Sequence, residues 1–388
     1  MRKIAFALGM LMLLMAAVAA CGGNGGGTAA ASASKAPIKI PVVGPMTGDY
    51  ATWGMSAWQG ASIAASEINA AGGVMGRKIQ LVKFDEKGDA IEGASVAQAI
   101  VSDPSYTMEI GPVFSSVAEA MQPVLERGHI LGLSSLSTNP KVPDGKKGFF
   151  VIAINDAKAG SLMADYAVLT MHKKRIGVLC DTTDGTIGIY NAFSAEVQKD
   201  GGTITKRTMY VGGQDKDFTV DLTSIMGTHP DLILADSFDV EGAMIVNQAK
   251  GMGITTQFMT PDACSTPAFL KVTGKNSNGI IAYNNFNRNI NLPAVKTFMQ
   301  KYDAAYPGAD ILASGPYAYD AVYTLAAVIK STNSTDSSKL QPALFAYHGQ
   351  GVTGPISFAA NGGRASGPIV VEKVENGQFN IIKTIFTK

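Results

Sequence analysis

Hydroxyl side chains follow an apolar run of strand length in IGPVFSSVAEAMQPVLE, where they could hold an anion. The run ends at Ile110, and a helical pattern begins near Ser116. The first turn of a helix leaves backbone N–H groups unpaired and carries partial positive charge, which suits a carboxylate. Ser115 and Ser116 could instead cap the helix, although capping does not exclude contact with a ligand. The stretch predicts a carboxylate-binding position.

A second hydroxyl-rich loop leaves another apolar run in LGLSSLSTNPKVPDG. Ser137 and Thr138 are candidates for the same anion. They could also be ordinary turn residues before Pro140.

A carboxylate, Asp262, follows a third apolar run in QFMTPDACSTPAF. The next helix already has a good start, because Thr266 is a favourable N-cap residue and Pro267 suits the first helical position. Asp262 is not needed as a cap, so its place at a strand end favours neutralisation of a cation. Together the three stretches supply partners for both charges of a small zwitterion.

The chain lacks the sequence signatures of common enzymes. It contains no G-x-S-x-G, no G-x-x-x-x-G-K-[ST], no H-E-x-x-H and no G-x-G-x-x-G after a strand. Its four histidines are scattered and lack ligand spacing, so no metal site is expected. We therefore predict binding without catalysis and without a cofactor.

The cysteines and the charge balance limit which sites and binding partners the chain can have. Cys180 and Cys264 form no C-x-x-C, so we expect buried or semi-buried thiols, with a bridge between them left open. Lys and Arg total 32 against 31 Asp and Glu, without a long block of one sign. No nucleic-acid partner is expected from that balance.

The N-terminus has the layout of a secretory signal. Arg2 and Lys3 precede an apolar stretch over 4–20 that is too short to span a bilayer comfortably. Cys21 then completes VAAC, which resembles the bacterial lipobox, in which the cysteine receives a diacylglycerol. The alternative is an ordinary small-residue cleavage site. We predict a signal peptide over 1–21, a flexible tether over 22–36, and an extracytoplasmic, membrane-anchored lipoprotein.

The rest of the chain alternates strand-length apolar runs with helix-length stretches, which predicts α/β architecture with parallel sheets covered on both faces. Its length exceeds what one hydrophobic core usually supports, so two lobes are expected. Two similar segments, SEINAAGGVMGRKIQLVKF and AEVQKDGGTITKRTMYV, both run from a helix through Gly-Gly into a strand. The strand candidates are 38–43, 78–84, 106–110, 130–133, 149–154, 175–180, 203–211, 232–235, 257–259 and 279–283.

These stretches together resemble the leucine/isoleucine/valine-binding branch of the type I periplasmic binding proteins. The resemblance rests on IPVVGPMTGDYATWG, EIGPVFSS, ILGLSSLSTNP, LILADSFD, QAKGMGITTQFMTPD and YAYDAVYTLAAVI, in that order. It implies two Rossmann-like parallel-sheet lobes joined by a multi-crossover hinge. Lobe 1 is expected to hold 37–156 plus 285–368, and lobe 2 to hold 157–284 plus 369–388.

The resemblance also implies roles for particular residues. Ser115, the backbone N–H of Leu136 and the Thr138 hydroxyl fall where relatives hold an α-carboxylate, with Ser137 in the same loop. Asp262 falls on the acid that receives the α-ammonium. Aromatic positions of relatives fall on Trp53 and Phe238, and Phe114 and Tyr317 are further candidates for the pocket wall.

The sequence departs from relatives at three positions. Gly185 stands where they have an aromatic ring, although Tyr190 is near in sequence. Gly88 and Phe114 stand where some relatives have a disulfide. These departures affect the side-chain pocket, so the identity of the ligand stays open.

The function implied is that of a substrate-binding protein of an ABC importer. Such a protein binds a small amino acid or related zwitterion between its lobes and delivers it to permease subunits in the membrane. The alternative is a ligand-sensing receptor of the same fold, for an amide, amino acid or aromatic acid, that is not coupled to import. An extracytoplasmic enzyme is disfavoured by the absent motifs.

Overall fold

A computed structural model describes residues 36–145 and 148–387 of the protein. These residues form two separate parallel-rich sheets, each with its own helices. We call the five-stranded sheet and its helices lobe 1, and the seven-stranded sheet and its helices lobe 2. The predictions for Cys21, the signal peptide and residues 22–35 of the tether lie outside the described residues.

Lobe 1 is built on a fully parallel sheet of order β2-β1-β3-β4-β5. Helices pack on both of its faces. Its elements are β1 (Ile38–Gly44), α1 (Ala51–Ala70), β2 (Ile79–Asp85), α2 (Ala90–Ser102), β3 (Met108–Ile110), α3 (Ser115–Arg127), β4 (Leu131–Ser134), β5 (Phe149–Val151), α9 (Pro293–Ala305), α10 (Ser314–Thr332) and α11 (Ser337–Phe345), with a small hairpin of β11 (Gly349–Gly351) and β12 (Gly354–Ile356).

Lobe 2 is built on a sheet of order β14-β13-β10-β9-β8-β6-β7, in which only β13 runs opposite to the other strands and pairs antiparallel with β10 and β14. Its elements are α4 (Asp156–Asp165), β6 (Arg175–Asp181), α5 (Asp184–Lys199), β7 (Thr203–Tyr210), α6 (Thr219–Met226), β8 (Leu232–Asp236), α7 (Asp239–Gly251), β9 (Gln257–Thr260), α8 (Pro267–Thr273), β10 (Ile281–Asn284), β13 (Pro368–Glu375) and β14 (Gln378–Phe386).

The ten predicted strands are all confirmed, and their burial explains why they were recognisable. Every residue of β4 and β8 is buried, as expected for strands covered on both faces. Both predicted helix–glycine–strand repeats are also confirmed. They correspond to α1 with β2 and to α5 with β7, and the chain turns at Gly73 (φ 78°) and Gly201 (φ 80°). Glycine suits these turns because it adopts positive φ without steric cost.

Helix α1 packs closely on α10 because both present glycine at their contact. A Cβ atom at Gly60 would lie 1.9 Å from the Gly315 carbonyl oxygen, which leaves no room for a side chain. The apolar face of α1 packs in the lobe 1 core, where Ala57, Ala61 and Ala64 are buried. No helix within the described ranges is long and apolar enough to cross a membrane.

The chain passes between the lobes three times. The crossings lie between β5 and α4, between β10 and α9, and between β12 and β13. At the second crossing the chain moves from one hydrophobic core to the other within three residues. Tyr283 packs in the core of lobe 2, whereas Phe286 packs in the core of lobe 1. Three connections of this kind form a hinge at one side of the cleft.

Both described cysteines are free and buried, so the prediction of buried thiols is confirmed. Burial raises the pKa of Cys180 to about 12. Burial also raises the pKa of Cys264 well above its usual range. Neither thiol is activated at neutral pH.

Glu109, in the middle of β3, is a buried acid whose two carboxyl oxygens have no hydrogen-bond partner among the described residues. Burial raises its pKa well above the ordinary value of 4.5. The unfolded chain therefore releases this proton at lower pH than the folded protein does, so stability falls as pH rises above about 4.5. We expect Glu109→Gln to raise the melting temperature at pH 8 more than at pH 4.5. Calorimetry at the two pH values measures this, and an equal shift at both would contradict it.

Candidate functional site

A cavity lies between the lobes, where strands of both sheets end. Its volume is about 140 Å³. An engineered apolar cavity of about 150 Å³ can bind benzene, so the space is sufficient for a small organic molecule. The cavity is lined by aspartates, hydroxyls and aromatic rings, and among its described lining residues there is no Lys, Arg or His.

Lobe 1 contributes hydrogen-bond donors to one side of the cavity. Ser115 is the first residue of α3, and no side chain caps that helix. The Ser115 Oγ accepts the backbone N–H of Asn139 at 3.2 Å, which leaves its own hydroxyl hydrogen free to donate. Leu136 and Thr138 line the same side, and no described residue accepts a hydrogen bond from the Leu136 N–H. The arrangement can receive a carboxylate.

Ser137 does not reach the cavity, which corrects its assignment as a ligand contact. Its side chain is fully buried, and its Oγ donates to the Pro112 carbonyl oxygen at 3.1 Å. Its N–H donates to the Ser134 Oγ at 2.8 Å. Ser137 therefore holds the loop in shape, while its neighbours Leu136 and Thr138 line the cavity.

Lobe 2 contributes Asp262, which follows β9 in a short 3₁₀ turn (Asp262–Cys264). Thr266 caps α8 by accepting the Phe269 N–H at 3.1 Å, so Asp262 has no capping duty, as predicted. Its Oδ2 accepts Asn285 Nδ2 at 2.6 Å. Burial raises the pKa of Asp262, while Tyr283 and Asn285 oppose that rise. A partly buried carboxylate with these contacts can pair with a cation.

A second acid, Asp156, lines the cavity and was missed by the sequence reasoning. It is 2% exposed, and its Oδ2 has no partner among the described residues. Burial raises its pKa well above the usual range, Thr138 opposes the rise, and the Asp262 charge adds to it. The sequence signal was available, because Asp156 follows the apolar run of β5.

Aromatic rings from both lobes form the remaining wall. Tyr50, Trp53 and Phe114 belong to lobe 1, and Phe238 belongs to lobe 2. Phe114 lies 5.2 Å from Tyr50 and 5.9 Å from Phe238 between ring centroids, both edge to face. The Tyr50–Phe238 contact, at 6.1 Å, joins the two lobes across the cleft.

Two further aromatic candidates lie elsewhere. Tyr317 is fully buried in the lobe 1 core and does not line the cavity. Tyr190 stacks on the Arg207 guanidinium at 3.7 Å and also lies outside the lining. Gly185 lines the cavity, so its position contributes no ring to the cavity wall. Gly88 also lines it, beside Phe114.

A hydrogen bond spans the lobes next to the carboxylate side. Asn139 Nδ2 donates to the Asp184 carbonyl oxygen, in the first turn of α5, at 2.7 Å. The backbone N–H of the same asparagine binds Ser115, so the proposed carboxylate position and the interlobe contact are adjacent.

One group of acids could hold a metal ion, and it lies away from the cavity. Asp165, Glu196 and Asp200 bring carboxylate oxygens within 4.8 Å of one another. Lys199 already pairs with Glu196. Burial and Asp200 raise the pKa of Asp165 to about 6. Exposed acidic groups are common without a metal, and nothing further points to an ion here.

Several known proteins resemble this chain over most of its length. An amino acid binding protein of Pseudomonas aeruginosa is 28% identical, covering 89% of this chain and 92% of that protein. A Leu/Ile/Val-binding protein homologue of Brucella melitensis is 29% identical, covering 79% of this chain and 82% of that protein. These relatives are solute-binding proteins rather than enzymes.

Solved structures agree with the sequence relatives. A leucine-binding protein of Thermotoga maritima superposes with a TM-score of 0.83 at 28% identity, covering 90% of this chain and 98% of that one. A branched-chain amino acid transporter substrate-binding protein of Streptococcus pneumoniae, in complex with isoleucine, superposes with a TM-score of 0.82 at 25% identity, covering 90% of this chain and 99% of that one. The predicted fold, periplasmic binding protein type I, is confirmed. Because a family model of periplasmic binding proteins matches residues 37–378, the chain belongs to that family.

Proposed function

We propose that the protein is the extracytoplasmic substrate-binding lipoprotein of an ABC importer and that it binds a small amino acid between its lobes. The observation that carries the proposal is the opposed chemistry of one cavity. Ser115, Thr138 and the Leu136 N–H stand on lobe 1, and Asp262 stands on lobe 2. Hydroxyls and N–H groups stabilise a carboxylate, whereas an acid stabilises an ammonium.

Binding would proceed by docking and closure. The ligand carboxylate first meets lobe 1, the ammonium then meets Asp262 beside Asp156, and the hinge closes the lobes. A ligand of about nine non-hydrogen atoms, at up to about 1.5 kcal/mol per atom, can reach the roughly 8 kcal/mol of micromolar affinity. The closed form would then be recognised by permease subunits. Ser115, Leu136, Thr138, Asp262, Trp53 and Phe238 are the proposed contacts.

The anchoring and the lobe boundaries belong to the same proposal. Residues 1–20 would be removed as a signal, which leaves the lipidated Cys21 as the N-terminus, and 22–36 would tether the binding unit. Lobe 1 would comprise 37–156 plus 285–368, and lobe 2 would comprise 157–284 plus 369–388. Metabolic labelling with palmitate tests the anchor, since Cys21→Ser should abolish the label.

A binding screen tests the proposed ligand class. Residues 37–388 are to be titrated calorimetrically with the twenty L-amino acids, and benzoate serves as a carboxylate without an ammonium. We expect micromolar or tighter binding of at least one apolar amino acid. Aspartate and glutamate should bind at least about 100-fold more weakly, because the cavity has acids and no base to receive a second carboxylate. A tighter benzoate complex would contradict the ammonium half of the scheme.

Removal of the lobe 1 hydroxyls should weaken binding strongly. Each hydrogen bond to a charged group contributes about 1.5–3 kcal/mol, so loss of two in Ser115→Ala with Thr138→Val is expected to raise Kd by roughly 100- to 20,000-fold. Ser137→Ala is the matched control, because its hydroxyl lies in the same loop but bonds to Pro112. That variant should lower the melting temperature while leaving Kd within about threefold. Equal losses of affinity in both variants would contradict the carboxylate assignment.

A further inference from the structure

Three asparagines occupy the second crossing of the hinge, in the stretch YNNFN. Asn284, Asn285 and Asn287 are 8%, 2% and 9% exposed, so all three are at least nine-tenths buried. Buried amide side chains are costly unless they are hydrogen-bonded. Their partners therefore indicate what each asparagine does at the crossing.

Two of the asparagines serve a common structural partner. Asn287 Nδ2 donates to Glu372 Oε1 at 2.7 Å, and Asn284 Nδ2 donates to the same oxygen at 3.4 Å. Glu372 lies on β13, inside lobe 2. These bonds fix the crossing to lobe 2 without touching the ligand cavity, because none of the three residues lines it.

The third asparagine has a different partner. Asn285 Nδ2 donates to Asp262 Oδ2 at 2.6 Å, and Asp262 is the acid that lines the cavity. The Asn285 carbonyl oxygen accepts the Tyr317 hydroxyl at 3.3 Å, and Tyr317 lies in α10 of lobe 1. One residue thus links the lobe 1 core, the hinge and the proposed ammonium acceptor.

We propose that Asn285 is a positioning residue that aims the carboxylate of Asp262 at the ligand ammonium and makes that aim depend on the hinge. This inference rests on the proposed function. One oxygen of Asp262 accepts a hydrogen bond from Asn285, which fixes the orientation of the carboxylate. Rotation of the lobes would change the backbone torsions of the crossing, and with them the position of the Asn285 amide relative to Asp262.

The same contact favours the ionised form of the acid. Burial raises the pKa of Asp262, and Tyr283 and Asn285 oppose the rise. An ionised carboxylate attracts an ammonium more strongly than a neutral one. Loss of Asn285 should therefore penalise ligands that carry an ammonium and spare ligands that do not.

The test compares paired ligands on the full-length protein. The tightest-binding L-amino acid of the twenty is titrated beside its deaminated carboxylic acid, and Kd is measured by calorimetry. In Asn285→Ala we expect Kd for the amino acid to rise about 10- to 100-fold, as for one hydrogen bond to a charged group. Kd for the deaminated acid should change less than about threefold, so the preference for the ammonium falls by the same 10- to 100-fold. Asn285→Ser is a second variant, since its hydroxyl is too short to replace the amide.

Asn287→Ala is the matched control, because it removes a neighbouring amide that bonds to Glu372. It should leave the ratio of the two Kd values unchanged. If the Asn285 variants weaken both ligands equally, Asn285 is only a structural part of the hinge and the inference is overturned. If the wild-type protein binds none of the twenty amino acids, the proposed function fails and takes the inference with it. If the wild-type protein prefers the amino acid over its deaminated acid and the Asn285 variants keep that preference, the inference is refuted while the proposed function stands.

Discussion

Replacement of Asp262 with asparagine is expected to weaken amino-acid binding roughly 100- to 1,000-fold, as does the loss of one partner of a buried charge pair. The change keeps the size of the side chain and removes only its charge. The ligand ammonium would then lie opposite a neutral amide, and Asp156 and Asp184 would be the remaining acids that line the cavity. Calorimetric titration with the amino acid found in the binding screen measures the loss.

Stability without ligand should respond in the opposite direction. Burial raises the pKa of Asp262, so at neutral pH the empty protein carries an unfavourably buried acid. Asp262→Asn should leave the melting temperature unchanged or raise it. Asp184→Asn is the control, because Asp184 also lines the cavity but is exposed. The affinity of this variant for the amino acid should change less than about threefold. Equal effects of the two variants would remove the special role of Asp262.

The core of the fold could be predicted because its strands are short, apolar and regularly spaced. The two strands of the C-terminal hairpin were missed. Strand β13 is apolar and buried, so its signal was present in the sequence. Strand β14 is at the sheet edge, and its residues alternate between exposed and partly buried, so it gives no continuous apolar run. A turn signal was present, because Asn376 and Gly377 both adopt positive φ, as a two-residue hairpin turn requires.

The site could be predicted in part, since parallel strands end at one edge and bring their following residues together. Ser115, Leu136, Thr138, Phe238 and Asp262 all follow strands and line one cavity. Sequence spacing does not reveal which way each loop side chain points. Ser137 and Thr138 are adjacent, yet one turns into the protein and the other faces the cavity.

Contacts between distant segments were the least predictable part. Asn139 meets Asp184, and Asn285 meets Asp262, across separations that carry no periodic signal. Both contacts join a hinge or interlobe feature to a residue beside the ligand. They exist only once both lobes are folded, which is why local patterns do not reveal them.

Arg364→Met is expected to lower the melting temperature by roughly 5–10 °C, because the residue ties the third crossing of the hinge to the first. Arg364 is 1% exposed. Its guanidinium donates to the carbonyl oxygens of Ile152, Thr353, Pro355 and Ser366 at 2.7–3.2 Å. Methionine fills much of the space but leaves these acceptors buried without a donor, and each costs about 1–3 kcal/mol.

The charge of Arg364 is compensated through a relay. Its Nη1 donates to Thr353 Oγ1 at 2.7 Å, and that hydroxyl donates to Asp320 Oδ2 at 2.6 Å. Arg364→Lys keeps the charge but cannot serve the whole set of acceptors, so its loss of stability should be intermediate. Arg288→Met is the control, because that arginine forms an exposed pair with Asp303 and should shift the melting temperature by less than about 2 °C. If the Arg364→Met and Arg288→Met variants have the same melting temperature, the crossings are held by their backbone packing and not by the guanidinium.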